Sequence, residues 1–369
     1  MTVSTVGQTL SVPLGKRAWA ALTTGKMFRI GIIAATILPL VVAVGIALLE
    51  LVSTHGPSPV SGFFQLGSVS LKAVLSLMAT LSSAHVMSTS YLLFNPKECR
   101  GVWRPGLSLV AIPAVLFGAT FFTLLALPLW AVLAYMLVYL HYGMFHFGRQ
   151  NLGVLSFVSR IALHRPITPV ERWTIMAGVI AGIFATYSIF APALGLNPKV
   201  FPFDISRIEP IFSSLWYVGA AINLGLVPFT LFYAFAHRRD YDWSTLTAWL
   251  ASVFFFLPMF LTSTPLFALI AWTVAHGLQY VVFLFFHAAG KRKPAMPMIF
   301  LGAAVGAGVL IWRLSAIVQT SDAEGPVRVA VATITAITLV HYWVDQFLWK
   351  FSTPERRKWF SENYSFLFE

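Results

Sequence analysis

Residues 264–287 read TPLFALIAWTVAHGLQYVVFLFFH, an uninterrupted stretch without a single Asp, Glu, Lys or Arg. A helix that crosses the hydrocarbon core of a bilayer needs about 20 mostly apolar residues, and this stretch is long enough. It also holds His276 near its middle, with Gln279 and Tyr280 following at i+3 and i+4, on one helical face. An ionisable side chain at membrane depth is costly and points by default to function. A span with a polar stripe inside it sets the reading of the whole chain.

Runs of the same kind lie on both sides. Ten candidate helices fall near residues 28–53, 67–94, 106–125, 128–148, 173–195, 211–235, 243–261, 264–287, 297–319 and 327–349. The turns at 126–128 and 262–264 are short and carry Pro128 and Pro265, so each is a turn, a kink or a re-entrant break. The composition agrees: 58% of the 369 residues are hydrophobic and 10% are charged, against about 25% charged in an ordinary soluble domain. Mean hydropathy is +0.78. The expected fold class is all-α, a polytopic integral membrane bundle of about ten helices. Its partners are then membrane lipid and lipophilic small molecules.

Loop charges orient the bundle. Lys16, Arg17, Lys26 and Arg29 precede the first run, and the loop at 54–66 carries no charge. Lys97, Arg100 and Arg104 come next, the turn near 127 is neutral, and Arg149, Arg160, Arg165 and Arg172 follow. Residues 196–210 balance Lys199 and Arg207 against Asp204 and Glu209, and their three prolines suggest a small outer cap. Arg238 and Arg239, then Lys291, Arg292 and Lys293, then Lys350, Arg356, Arg357 and Lys358 complete the alternation. Ten spans with both termini in the cytoplasm satisfy the positive-inside rule at every loop. The net charge of +12 therefore needs no nucleic acid. Residues 1–27 are expected to form a cytoplasmic tail, 28–349 the transmembrane domain and 350–369 a cytoplasmic or interfacial segment. The aromatic stretch Trp359–Phe368 is expected to lie back on the interface or dock a partner. Residues 1–27 do not read as a signal peptide, and a bacterial inner membrane is the expected location.

Five histidines lie in these runs: His85, His141, His146, His276 and His341. All fall on helices running from the outer to the inner side, each in the second half of its helix. At about 1.5 Å per residue, His276 is roughly 22 Å from Lys291, His85 roughly 18 Å from Lys97 and His341 roughly 13 Å from Lys350. His141 lies roughly 12 Å before Arg149 on the same scale. Histidine is the commonest protein metal ligand, and a shared depth on separate helices suggests one metal site. His341 and Asp345 are i and i+4, so Asp345 is expected to ligate the metal or orient His341. Gln279 and Tyr280 are expected to orient ligands or meet a polar group of the substrate. His141 and His146 lie about 140° apart on an ideal helix and converge only if the helix distorts or ends, which Gly143 and Gly148 permit. His146 is thus either a ligand or a helix-end cap. His55 and His164 are expected in loops, and His237 and His287 at helix ends where a cation suits the helix dipole.

Other chemistries are not signalled. Cys99 is the one cysteine, which excludes disulfides and thiolate-rich metal sites. No covalent-haem motif, Walker A motif or His-Glu-x-x-His pattern occurs. Asp345 is the main interior carboxylate, fewer than an ion-driven carrier usually needs. The leading expectation is a membrane enzyme holding one or two non-haem iron ions by histidines, an oxygenase of a lipophilic substrate. The alternatives are a haem-b electron-transfer protein with bis-histidine ligation and a transporter or complex subunit with histidines along a polar path.

Helix-borne His85, the piece His146-Phe147-Gly148, His276 and His341 together resemble the Brp/Blh family of bacterial membrane β-carotene dioxygenases. The likeness consists of short motifs across about half of the chain. It implies a multi-spanning fold, a single non-haem iron held by histidines from separate helices, and cleavage of a carotenoid to retinal. Two departures bear on that. Ser83-Ala84-His85-Val86 lacks the family's Pro-His-Gly run and following Asp, and a close later histidine pair is missing, with His276 and His287 eleven apart. Iron ligation can carry over without carotene cleavage.

Overall fold

The computed structural model describes residues 24–52, 85–86, 99, 102, 104–187, 208–261, 265–290, 302, 306, 324–350 and 353–367. The expected spans at 67–94 and 297–319, the N-terminal tail, the segment 196–210 and His55 lie wholly or largely outside them. Among the described residues every regular element is helical and none is a strand. That follows from the sequence, because in hydrocarbon each backbone N–H and C=O must be satisfied internally and a helix does so within one segment. Four stretches are long and apolar enough to cross a membrane: Gly25–Gly45, Leu107–Ala126, Trp130–Leu163 and Pro210–Ala236.

The chain runs through α1 (Gly25–Val52), a π-helical turn (Leu107–Ala111) leading into α2 (Ile112–Ala126), and α3 (Leu129–Leu163). It continues with α4 (Pro169–Ala185), α5 (Glu209–Ala236), α6 (Trp243–Val253) and the short α7 (Pro258–Leu261). Then come α8 (Pro265–Gly290), α9 (Glu324–Leu348) and α10 (Pro354–Asn363). α8 packs along α1, α9 along α2 and α4 along α5, while α3 contacts both α4 and α6.

Two elements differ from the sequence reading. The helix expected at 128–148 runs on to Leu163 without ending at Gly148. Gly148 serves close packing instead: a Cβ there would collide with the Val179 side chain of α4. Beyond it the helix stays amphipathic, with Leu152, Leu155 and Val158 buried and Arg149 and Arg160 exposed. Arg149 and Arg160 are therefore helical residues. The connection to α4 shrinks to 164–168, with His164 closing α3 in the left-handed region at φ 52°.

The span expected at 243–261 is interrupted. α6 stops at Val253, and Pro258 opens α7 after a turn through 254–257. Proline removes an N–H and crowds the carbonyl four residues earlier. The freed groups are re-bonded locally, Leu257 N–H to Phe254 O at 3.0 Å and Phe260 N–H to Leu257 O at 3.0 Å. α4 makes room for the break at Gly178, where a Cβ would lie 2.7 Å from Val253 O.

At 126–128 the chain does turn. Leu127 is extended (φ −69°, ψ 145°), as the residue before a proline prefers. Arg328 of α9 donates to the carbonyls of Leu124, at 3.3 Å, and of Leu127, so the end of α2 is capped from a neighbouring helix.

The start of α1, the α3–α4 connection, the α5–α6 connection and the C-terminal segment gather at one end of the bundle. Arg29 pairs with Asp242 (3.0 Å) and donates to Ser244 Oγ (2.9 Å). Arg165 holds Glu171 through both oxygens (2.7 and 3.2 Å) and lies over the Tyr241 ring. Glu171 also closes the capping box that starts α4 at Thr168. The aromatic C-terminal stretch is part of this end: Trp359, Phe360, Tyr364 and Leu367 are buried with Phe28, Phe157 and Phe283. Arg356, itself buried, lies over Trp359 at 4.2 Å and donates to Leu348 O.

Candidate metal centre

His146 stands at the midpoint of α3, His276 in α8, His341 in α9, and His85 in the helical residues 85–86. One nitrogen from each ring can be chosen so that all four lie within 4.8 Å of one another. The His85 ring is 4.4 Å from that of His276 and 4.1 Å from that of His341, and His146 is 4.9 Å from His276, centroid to centroid. His85, His276 and His341 are at most 3% exposed. Phe147 lies 4.4 Å from His276, and Tyr342 stacks on His146 at 4.2 Å. Met144 and Trp272 belong to the same apolar cluster.

A packing role does not account for this group. Both ring nitrogens of His276, and Nε2 of His146, are buried without a hydrogen-bond partner among the described residues. A neutral imidazole carries one donor and one acceptor, and leaving a buried polar group unmade costs about 1–3 kcal/mol. A metal ion would take one nitrogen from each ring. Metal–nitrogen bonds of about 2.0–2.1 Å place donors on a common ion no more than about 4.2 Å apart. The observed limit of 4.8 Å is within a small inward movement of that, so the four histidines fit one ion.

Asp345 flanks them. Its Oδ2 lies 3.4 Å from His341 Nε2 and 3.8 Å from His146 Nε2. Its Oδ1 accepts from the Tyr280 hydroxyl at 3.3 Å, which in turn accepts from Trp349 Nε1 at 3.2 Å. Tyr280 also sets its ring edge-to-face with His85 at 4.2 Å. A carboxylate beside two imidazoles orients them and raises their basicity.

Gln279 bonds to neighbouring helices and not to a histidine ring. Its amide donates to Thr36 Oγ1 (2.8 Å) and Asn151 Oδ1 (3.0 Å), and its oxygen accepts from Gln150 (2.8 Å). Gln150 also donates to the His276 carbonyl at 2.9 Å. These bonds tie α8 to α1 and α3 at the level of His276, making Gln279 a positioning residue.

Five of the six expected ligand residues thus come together, four as the histidine cluster and Asp345 beside it. His141 does not: because α3 is continuous, its ring is directed away and lies 5.2 Å from Tyr187. For His146 the helix-end alternative falls away, since α3 continues well past it. His237 stacks on Tyr233 at 4.0 Å, and His287 packs between Trp359 and Tyr364. Sequence reasoning passed over Gln150, Asn151, Thr36, Tyr342 and Trp349. The signal for Gln150 was available: with α3 extended, His146 and Gln150 are i and i+4 on one face.

Searches for a matching protein-family model, for a curated relative and for a similar solved structure found no match to this chain.

Proposed function

We propose that the chain is an integral membrane enzyme whose buried histidines hold one non-haem iron ion, and that it oxygenates a lipophilic substrate. The observation that carries this reading is the convergence of His85, His146, His276 and His341 within 4.8 Å inside an apolar helical bundle. An all-imidazole set suits first-row transition metals, iron among them, and no thiolate competes. The close packing favours a small ion over haem, whose macrocycle would have to part rings only 4–5 Å from one another. Bound iron would supply the capacity to activate dioxygen.

The chain's own residues supply the rest. Asp345, 3.4 Å from His341 Nε2, orients that ring or joins the ligand set. Tyr280 has its hydroxyl on Asp345 and its ring against His85, so it links the carboxylate to the cluster. Gln279 holds α8 in register with α1 and α3. Phe147, Trp272, Met144 and Tyr342 exclude water and present an apolar wall to a hydrocarbon substrate. The reading is tested by elemental analysis and an optical spectrum of protein purified without added metal. The expected result is about one iron per chain with no Soret band. Metal below about 0.2 mole per chain, unchanged in His276→Ala, contradicts it.

A further inference from the structure

A cavity opens between α1 and the interrupted helix α6–α7. Its volume is about 480 Å³, and Leu40, Val44 and Gly45 face Ala251, Phe254 and Pro258 across it. Among the described residues Thr247 is the one polar side chain lining it. The break at 254–257 lies along it, between α6 and α7, both of which pack on α1. Gly45 widens it: a Cβ at that position would meet nothing within 4 Å. At the outer rim Val41 and Leu48 are more than half exposed, on a helix apolar enough to cross a membrane.

Inward, the groove shares a wall with the histidine centre. Leu40 is buried and packs in the same cluster as Met144, Phe147, Trp272 and Ala275, and Phe147 lies against His276. One turn earlier on α1, Thr36 bonds to Gln279. We infer that this groove takes the hydrocarbon chain of the substrate of the histidine centre, laterally from the bilayer. The inference rests on the reading of that centre as a site for a lipophilic substrate. Three observations select the occupant. The groove runs along α1, whose stretch Gly25–Gly45 is apolar enough to cross a membrane, so what reaches it there comes from lipid. Its lining offers almost no hydrogen-bond partner, which rejects a peptide backbone or a headgroup. Its volume is that of a ligand site, and Leu40 on its lining belongs to the apolar cluster that contains Phe147, the neighbour of His276.

The test uses the full-length protein in phospholipid nanodiscs and a long-chain fatty acid bearing a terminal diazirine. After photolysis, label is mapped by peptide mass spectrometry, and metal is measured on the same samples. Label is expected to concentrate in 37–48 and 247–258 and to reach Leu40 or Phe147. Gly45→Trp and Ala251→Trp should each abolish that label while metal content stays at the wild-type level. Label spread evenly onto the lipid-facing side of α5, around Leu224 and Phe232, overturns the inference, as does label undiminished in both variants. A phospholipid retained by the purified wild type and lost in Gly45→Trp makes the groove a structural lipid site and overturns it too. Wild-type protein without metal but with groove label defeats the reading of the histidine centre, whereas metal without groove label defeats the groove alone.

Discussion

At the basic end of the bundle Arg29 reaches Asp242 and Ser244, and Arg165 grips both oxygens of Glu171. In the middle, both ring nitrogens of His276 are buried with no hydrogen-bond partner among the described residues. The two regions dispose of their polar groups differently. At the end, Arg29 and Arg165 meet carboxylates inside the chain, and those contacts hold helix starts and loops together. In the middle, four acceptor-bearing rings from separate parts of the chain face one another with a carboxylate beside them. Charges paired within the protein serve the fold, whereas convergent rings of one kind make sense when a cation completes them.

The largest effect that should break this contrast comes from removing a ring. His341→Ala is expected to abolish metal retention through purification, measured by elemental analysis, while leaving the helical circular dichroism in place. Asp345→Asn keeps the shape but removes the charge beside His341 and His146, and is expected to weaken metal affinity roughly 10- to 100-fold in a chelator competition. Gln279→Leu strands the partners Thr36, Asn151 and Gln150. It should cost about 1–3 kcal/mol of stability, with a smaller loss of metal affinity than Asp345→Asn.

The basic end should respond to pH instead of metal. Burial alone would raise the Glu171 carboxyl, but hydrogen bonds from Arg165 and the Thr168 N–H, with the Arg165 charge, outweigh it and hold the group below its usual range. A carboxylate depressed in the folded state stabilises fully above its unfolded value, roughly pH 4.3. That stability is lost as pH falls through the folded value. Thermal melts should therefore show wild type losing more stability than Glu171→Gln below about pH 4.3. Metal content should be the same in both at neutral pH. The smallest effect is expected from His141→Ala, whose ring sits by Tyr187 and not in the cluster; metal content should not change.

How far these regions could be read in advance differs for a physical reason. Helical class, and the membrane-long runs that begin near Gly25, Leu107 and Pro210, follow from uninterrupted apolar length, which is a property of sequence alone. His276, His341 and Asp345 were visible because a polar residue inside such a run stands out, and i, i+4 spacing already places Asp345 beside His341. The interruption at 254–257 was signalled only by Pro258, since Phe254, Phe255 and Phe256 are as apolar as a continuous span and the room for the break comes from Gly178 on another helix. The continuation of α3 was hidden in a similar way. Gly148 has the composition of a terminus, and only the approach of Val179 explains why a glycine stands in mid-helix. That misreading also cost the separation of His146 from His141, because a kinked end could have used both and a straight helix directs only one inward.

The most direct measurement is metal content per chain, taken in parallel on wild-type protein, His276→Ala and His141→Ala, all purified without added metal. The account predicts about one ion in the wild type, about one in His141→Ala and close to none in His276→Ala. Equal content in all three, or no metal in the wild type, would contradict it.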